Sequence, residues 1–453
     1  MTLEEMDREI VGTFHFATEG MAFLEELVDR FGPRFLGTEQ ERGAAQFISE
    51  RMNGLEADRV EIERFTCPGW VRRETAASVT RPVQRPVGCI ALPYCAPGTV
   101  EGPLLYVAEG DLRTYAAKQR EMKGAIVMAN TASPRSAAHR MHRSEKLSRA
   151  IDAGAVGFIW MRAVAGGLAE TGSARFGRFC EAPAIAVSYE EGYALLRLAK
   201  RGPVHLRIHS TNENRMVDTQ NVFAEFRGRT KPDEIVVLGA HYDAHDIGQG
   251  AMDNGSGLAV VLEAARVLRR YRDAFKRTLR IVAFGGEEMG LHGSRHHADH
   301  HRAESMRFML NLDGSARSMT ATLYFPGWPG GLDFVRGVYE GSIDDEASLW
   351  LHSDHYSFSA VGVPAAIVMS DQPAGASAGA SRGYGHTAMD TLDKASGAAI
   401  EAEASRAARF ALRLLTMDEI PLPRKTPAEM HEVLTGLGLD KTLRSEGRPV
   451  PGE

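Results

Sequence analysis

Cysteine is scarce here: four in 453 residues (Cys67, Cys89, Cys95, Cys180), none in the CxxC spacing of a thiolate metal site. Cys89 and Cys95 could bridge, but nothing demands it, and reduced thiols in a cytoplasmic protein are the expectation. Long apolar runs are missing too. None approaches the roughly 18 residues of a spanning helix, so no membrane association is expected. The opening MTLEEMDREIVGTFHF is acidic and lacks the basic and apolar regions of a signal peptide. Neither charge sign dominates, with 53 basic against 59 acidic residues and a net charge of -6. That balance speaks against nucleic acid or an anionic membrane as a general partner. There is no internal repeat and no biased tract that would suggest disorder.

What is present is the composition of a folded chain, 43% hydrophobic and 25% charged. Its length favours two or three domains. The first 65 residues read as helices followed by a strand, because MAFLEELVDRF and GAAQFISERM have helical spacing and DRVEIERF alternates. Glycine and proline then cluster in RPVQRPVG and LPYCAPGTVEGP, marking a boundary near residue 95. From there to 208, short strands (LLYVA, GAIVMA, VGFIWM, AIAVS) alternate with helical segments, as in a small α/β module. Within it, HRMHR (139–143) reads as a solvated basic segment.

After residue 219 the pattern becomes βα. Strands are expected at Glu234–Ala240, Leu279–Phe284, Arg307–Leu312, Leu323–Pro326 and Pro364–Met369, and helices at Gly257–Tyr271, Asp333–Glu340 and Ala398–Leu415. Apolar strands between amphipathic helices imply a mostly parallel sheet covered on both faces. Residues 1–95 and 209–420 therefore form one discontinuous domain around an insert at 96–208. The proline-rich tail, 421–453, reads as a peripheral arm with a frayed end, free to pack on a neighbour in a homodimer.

Ligands of open α/β sheets gather beyond the carboxyl ends of the strands. There this sequence places His241 and Asp243, then Glu287 and Glu288, then Asp313. Asp253 lies in the glycine-rich GQGAMDNGSG, and His386 follows in GYGHTAMDT. A lone Asp at a strand end is commonly a cap or turn residue, and a lone His is commonly hydrogen-bonded scenery. Several at one sheet edge point to a metal. Histidine mixed with carboxylates and no cysteine suits zinc, cobalt or manganese. Two His and three carboxylates exceed what one tetrahedral ion needs, whereas two ions sharing a carboxylate would use them all.

HYDAHDIGQGAMDNGSG, FGGEEMGLHGS, NLDG, SDHYSF and GHTAMDT, in this order, resemble the co-catalytic zinc exopeptidases, the family of aminopeptidase S, carboxypeptidase Q and glutamate carboxypeptidase. The resemblance covers residues 20–55 and 219–416. MKGAIVMAN, AIDAGAVGFIWM and APAIAVS resemble a protease-associated domain. The resemblance implies a three-layer αβα sandwich around a mostly parallel mixed sheet, with that domain, small and α/β or β-rich, inserted. It implies two zinc ions, with Co or Mn as substitutes, held by His241, Asp253, Glu288, Asp313 and His386, with Asp253 bridging. Glu287 matches the general base that takes a proton from the water between the ions, and Asp243 the carboxylate that orients His241. Asp354 and Asp390 match supporting positions equally well explained as turn and cap residues. Some relatives carry Tyr just before the last ligand; here Gly385 stands there and Tyr384, the candidate oxyanion donor, one residue earlier.

The implied substrates are short peptides or dipeptides cut at a terminus. A receptor-like or scaffold protein on the same fold would have no reason to keep all these ligands plus Glu287. A glutaminyl-cyclase-like acyltransferase would need one ion. Which terminus is read stays open: Arg317 and Arg382 are candidate partners for a terminal carboxylate. The cluster His292, His296, His297, His300 and His301 has helical i, i+4 spacing but no carboxylate placed to complete a site, so a surface or packing role is expected.

Overall fold

The computed structural model describes every residue except 17, 134–140, 326, 329, 345–348 and 372–382. Its described residues build two mixed sheets, each of eight strands. The first has four parallel neighbours at its centre: Arg277–Phe284, Lys231–His241, Ser305–Leu312 and Ala365–Ser370. Arg59–Val71 and Glu213–Phe226 flank them antiparallel on one side, and Ala321–Tyr324 and Ser342–Asp344 complete the other. Each expected strand of the βα region is present, most beginning two or three residues earlier.

Alternation along these strands feeds two cores, as period-two side-chain direction requires. Val236, Leu238, Ala240, Ile281 and Leu310 face helices Leu3–Phe16, Gly20–Phe31, Glu39–Asn53, Ser256–Leu268 and Gly397–Thr416. Val237, Val282, Phe284 and Met309 face the opposite way, onto helices His292–His300 and His355–Ala360. The sheet is thus a layer between helices, and strands buried on both faces explain their nearly unbroken apolar runs.

The second sheet is built from Thr75–Arg81, Arg85–Val87, Ile90–Ala91, Gly98–Tyr106, Ile126–Asn130, Gly157–Met161, Ala184–Val187 and His205–Ser210. It starts at Thr75, ahead of the boundary read near residue 95: Arg85–Val87 pairs antiparallel with Ala77–Val79, so RPVQRP turns a hairpin instead of serving as a linker. One of its cores is shared with the first domain: Phe35, Leu36, Trp70 and Met289 pack with Val127, Ala129, Phe158 and Trp160. All four thiols are unpaired. No helix among the described residues is long and apolar enough to cross a membrane.

Two further expectations are corrected. The tail is not frayed: helices Pro427–Gly436 and Leu439–Glu446 bury Met430, Leu434, Leu439 and Leu443, and Glu446 is fully buried. Leu434, Leu439 and Leu443 pack on Phe176, Leu349, Leu351 and Tyr356 of the same chain, and Met430 joins the main core of the first sheet. The second correction concerns HRMHR. His139 and Arg140 lie outside the described residues, but Arg143 is buried rather than solvated, its Nε donating to the Ser173 carbonyl at 3.0 Å.

Candidate metal centre

All but one of the ligand candidates stand where a strand or helix begins or ends. His241 closes its strand, and Asp243 follows in the same loop. The adjacent strand stops at Phe284, and Gly286, with φ of 70°, turns the chain so that Glu287 and Glu288 face back over the sheet edge. Asp253 precedes helix Ser256–Leu268 in a non-helical conformation (φ -125°, ψ 88°) that carries its carboxylate into the cleft. Asp313 follows strand Ser305–Leu312, and His386 comes from a distant loop.

The loops are held by buried hydrogen bonds. The Asp243 carboxylate accepts the backbone N–H of Glu287 (3.0 Å) through one oxygen and that of Glu288 (3.2 Å) through the other. Asp390 does the same for Met252 (2.7 Å) and Asp253 (3.1 Å), which gives it a bracing role rather than that of an ordinary cap. Arg34, fully buried, donates to the carbonyls of Tyr242 (2.6 Å), Gln249 (2.8 Å) and Gly250 (2.8 Å), pinning both ends of the loop that carries Asp243. Ser353 donates to Asp313.

Both candidate ligand histidines have their second nitrogen occupied. His241 Nδ1 lies 3.2 Å from the Asp243 carbonyl and 3.4 Å from its carboxylate. His386 Nδ1 lies 3.2 Å from the carbonyl of Thr171, so the inserted module braces a residue of the cleft. Each contact favours the tautomer with the proton on Nδ1, which presents Nε2 as the lone-pair donor toward the cleft. His241 Nε2 then faces Asp253 (3.5 Å), Asp313 (3.8 Å) and Glu287 (3.9 Å), yet it makes no hydrogen bond among the described residues. His386 Nε2 faces Glu288 (2.8 Å) and Asp253 (3.4 Å). The two oxygens of Asp253 point to opposite sides, one to each histidine. A buried imidazole nitrogen that faces several carboxylates without bonding any of them suits donors converging on a cation, so the residues fit a metal.

The electrostatics agree. Burial raises the Glu287 carboxyl, and Glu288, Asp313 and Asp354 add to the rise; His241 only partly offsets it, and the group stands well above its ordinary value. Burial acts on Glu288 too, but His245 and His386 outweigh it and hold that carboxyl well below the ordinary range. Asp253 is held at about 2, its two histidines overcoming burial and the charge of Glu288. Burial pushes Asp354 and Asp390 up to about 7.

The structure therefore gathers His241, Asp243, Asp253, Glu287, Glu288, Asp313 and His386. Tyr384 is not drawn in: the residue is 44% exposed, and its ring lies under Lys394 Nζ, 5.1 Å from the ring centre. Arg317 is close enough to Asp390 to lower that carboxyl, and Arg382 lies outside the described residues. Sequence reasoning missed His245, whose Nε2 is 3.1 Å from Glu288, and the pinning role of Arg34. The one signal for His245 was a second histidine four residues after the first in HYDAH.

The histidine-rich helix does have a carboxylate partner, which corrects the earlier reading. Glu63 lies 3.0 Å from His297 Nδ1 and 3.2 Å from His301 Nε2, and could complete a metal-type trio. Asn221 also donates to Glu63 at 2.8 Å, and His301 Nδ1 contacts Glu304 at 2.9 Å, so the trio is bonded within the protein.

An open α/β sheet with a histidine–carboxylate cluster at its carboxyl edge, joined to a second α/β module, places the chain among the α/β metalloproteins. Residues 221–411 match peptidase family M28, and residues 100–195 match the PA domain. Carboxypeptidase Q of Mus musculus is 26% identical over 311 residues, 66% of this chain and 66% of that protein. Aminopeptidase YwaD of Bacillus subtilis is 28% identical over 369 residues, 79% of this chain and 76% of that one. The match spans just under two thirds of mouse carboxypeptidase Q (66%) and 62% of its bovine counterpart. Among solved structures, the peptidase M28 precursor of Shewanella amazonensis SB2B aligns with a TM-score of 0.75 at 25% identity, over 93% of this chain and 99% of that one. A zinc aminopeptidase of Bacillus subtilis shares the fold, with a TM-score of 0.65 at 23% identity, over 89% of this chain and 96% of that one.

Proposed function

We propose that the protein is a zinc-dependent exopeptidase that hydrolyses a terminal peptide bond of short peptides or dipeptides. The observation that carries this reading is Asp253, which turns one carboxylate oxygen toward His241 and the other toward His386. That division supports two ions: one held by His241, Asp253 and Asp313, the other by Asp253, Glu288 and His386. Bound zinc would acidify a water and polarise the scissile carbonyl. Aminopeptidase and carboxypeptidase names among the relatives support an exopeptidase without choosing the terminus.

Glu287 is the general base in this reading. Its carboxylate lies beside the His241 site, 3.9 Å from Nε2. Its raised pKa suits a group that accepts a proton and returns it to the leaving amine. Glu288 stays ionised and holds charge. Asp243 fixes the two backbones, so that the base and the ligand keep their separate directions. For Tyr384, donating to the oxyanion requires the ring to swing inward from under Lys394.

The test is metal content together with a substrate panel. About two zinc ions per chain, and peptide hydrolysis abolished by a chelator and restored by zinc, are expected. A panel of dipeptides blocked at either terminus decides which end is read. Chelator-resistant hydrolysis, or none on any free or blocked dipeptide, overturns the assignment.

A further inference from the structure

We propose that His245 is a metal ligand, completing with Asp253, Glu288 and His386 a four-residue set around one of the two ions. The inference rests on the metal-centre reading above and deepens it.

His245 occupies a position the protein has fixed on both sides. Ala244 N–H donates to the Arg34 carbonyl (3.2 Å), and Asp246 is gripped by Arg72 through contacts of 2.6 and 2.8 Å. Between these anchors the imidazole is driven inward until only 5% of the residue is exposed. It stands edge-on to the His386 ring, centroids 4.4 Å apart, with Phe35 on another side at 6.4 Å.

Neither ring nitrogen makes a hydrogen bond among the described residues. For a buried imidazole that is costly, because both nitrogens are polar and at least one seeks a partner. Nε2 nevertheless lies 3.1 Å from Glu288, near enough for a bond but not aligned for one. Two donors at that separation, with a third donor within reach of both, suit ligands on one ion. The same Glu288 oxygen is 2.8 Å from His386 Nε2, and His386 Nε2 is 3.4 Å from Asp253. Donors at tetrahedral corners around zinc, each about 2.0–2.1 Å from it, lie roughly 3.3 Å apart. The three separations fall around that value, and His245, Glu288 and His386 form one of the metal-type trios of the fold.

The consequence is asymmetry. The set His245, Asp253, Glu288 and His386 offers two imidazoles and two carboxylates, which fills a tetrahedral ion. The set His241, Asp253 and Asp313 has one imidazole and leaves a position open. Closed sites anchor and open sites react, so His241, Asp253 and Asp313 would hold the ion that leaves room for a water beside Glu287, and the His245 set would hold an ion that steadies the cleft. The imidazole-rich site should also bind zinc more tightly than the carboxylate-rich one, which admits manganese more readily.

The experiment is a zinc titration of metal-free protein against a chromogenic chelator, in wild type, His245→Ala and His245→Gln, with the cobalt(II) absorption spectrum of each as a second readout. Equal melting temperatures of the metal-free proteins show that the variants fold. Wild type should show two unequal constants. In both variants the tighter one should weaken about tenfold or more, with a changed cobalt spectrum, while the weaker one stays within about twofold. Constants within about threefold of wild type and an unchanged spectrum overturn the proposal. Failure of the two-ion reading looks different: wild type saturates at one ion, and the same comparison of that single constant still decides whether His245 binds it. Wild type that takes up no zinc overturns both.

Discussion

Glu287 and Glu288, neighbours in the chain, are driven to opposite protonation behaviour by one buried cleft. Burial and three surrounding carboxylates raise Glu287, while His245 and His386 hold Glu288 ionised. Separate environments for paired acids support the proposed split into base and ligand. Glu287→Gln is expected to keep zinc content near wild type and to lower kcat by roughly a hundred- to ten-thousand-fold. Glu288→Ala should lose metal instead. Metal analysis beside steady-state kinetics separates the two, and full activity in Glu287→Gln would sink the base assignment.

Asp243 controls both glutamates through their backbone N–H groups. Asp243→Ala leaves those two buried donors unpaired and removes the carboxylate 3.4 Å from His241 Nδ1. Zinc affinity should fall by about 10–100-fold, and kcat with it. Asp243→Asn keeps an acceptor for one N–H but sets an amide donor against the other, so it should fall between. A chelator-competition titration reads both.

Arg34 joins the amino-terminal segment to the loop that carries Asp243 and His245. Four carbonyls, of Gly32, Tyr242, Gln249 and Gly250, fan around one planar guanidinium, a geometry that a lysine ammonium does not reproduce. Arg34→Ala should therefore destabilise the protein by about 3 kcal/mol or more. Arg34→Lys should recover less than half of that. Chemical denaturation of metal-free protein reads the loss without interference from zinc.

What could be read from the sequence, and what could not, follows from the range of the interactions. His241, Asp253, Glu287, Glu288, Asp313 and His386 were visible because each is a polar residue placed at an apolar strand's end or in a glycine-rich loop. Glu63 was not, because its partners depend on strand register: it sits opposite Asn221 in the antiparallel pair and meets a helix more than two hundred residues later. His245 was hidden by ordinariness, one histidine among sixteen, in a loop whose inward turn is set by Arg34 and Arg72. The tail misled because its helices are short and polar in sequence. Their burial comes from Phe176 and Leu351, which nothing local announces.

The inserted module reaches the cleft through Thr171, whose carbonyl contacts His386 Nδ1 and whose N–H donates to the His386 carbonyl at 2.8 Å. Arg143 steadies that segment from within the module through the Ser173 carbonyl at 3.0 Å. Arg143→Ala should free the segment, loosen His386 and weaken zinc binding by about tenfold at the ion His386 holds, leaving the other constant unchanged. An equal loss at both ions would mean general unfolding rather than release of this contact.

Glu446 ties the tail to both domains. Its carboxylate accepts from Ser144 of the inserted module, contacts His352 at 2.9 Å and meets Arg448 at 3.2 Å; His142 stacks on His352, ring centroids 4.0 Å apart. Burial opposes its charge, but His352, Arg448 and Ser144 outweigh burial and hold the carboxyl at about 2, below its ordinary 4.5. A depressed folded-state pKa means that the unfolded chain binds the proton more readily, so stability rises with pH across this window. The contribution is complete above about 4.5 and is lost as pH falls toward 2. His352, lowered mainly by its own burial, acts in the same sense because protonating it also favours unfolding. Glu446→Gln should cost about 3 kcal/mol at pH 7, and the cost should vanish toward pH 2. Denaturation midpoints of both proteins between pH 2 and pH 7 measure it. A gap that stays constant with pH would remove Glu446 as the acid-sensitive tie.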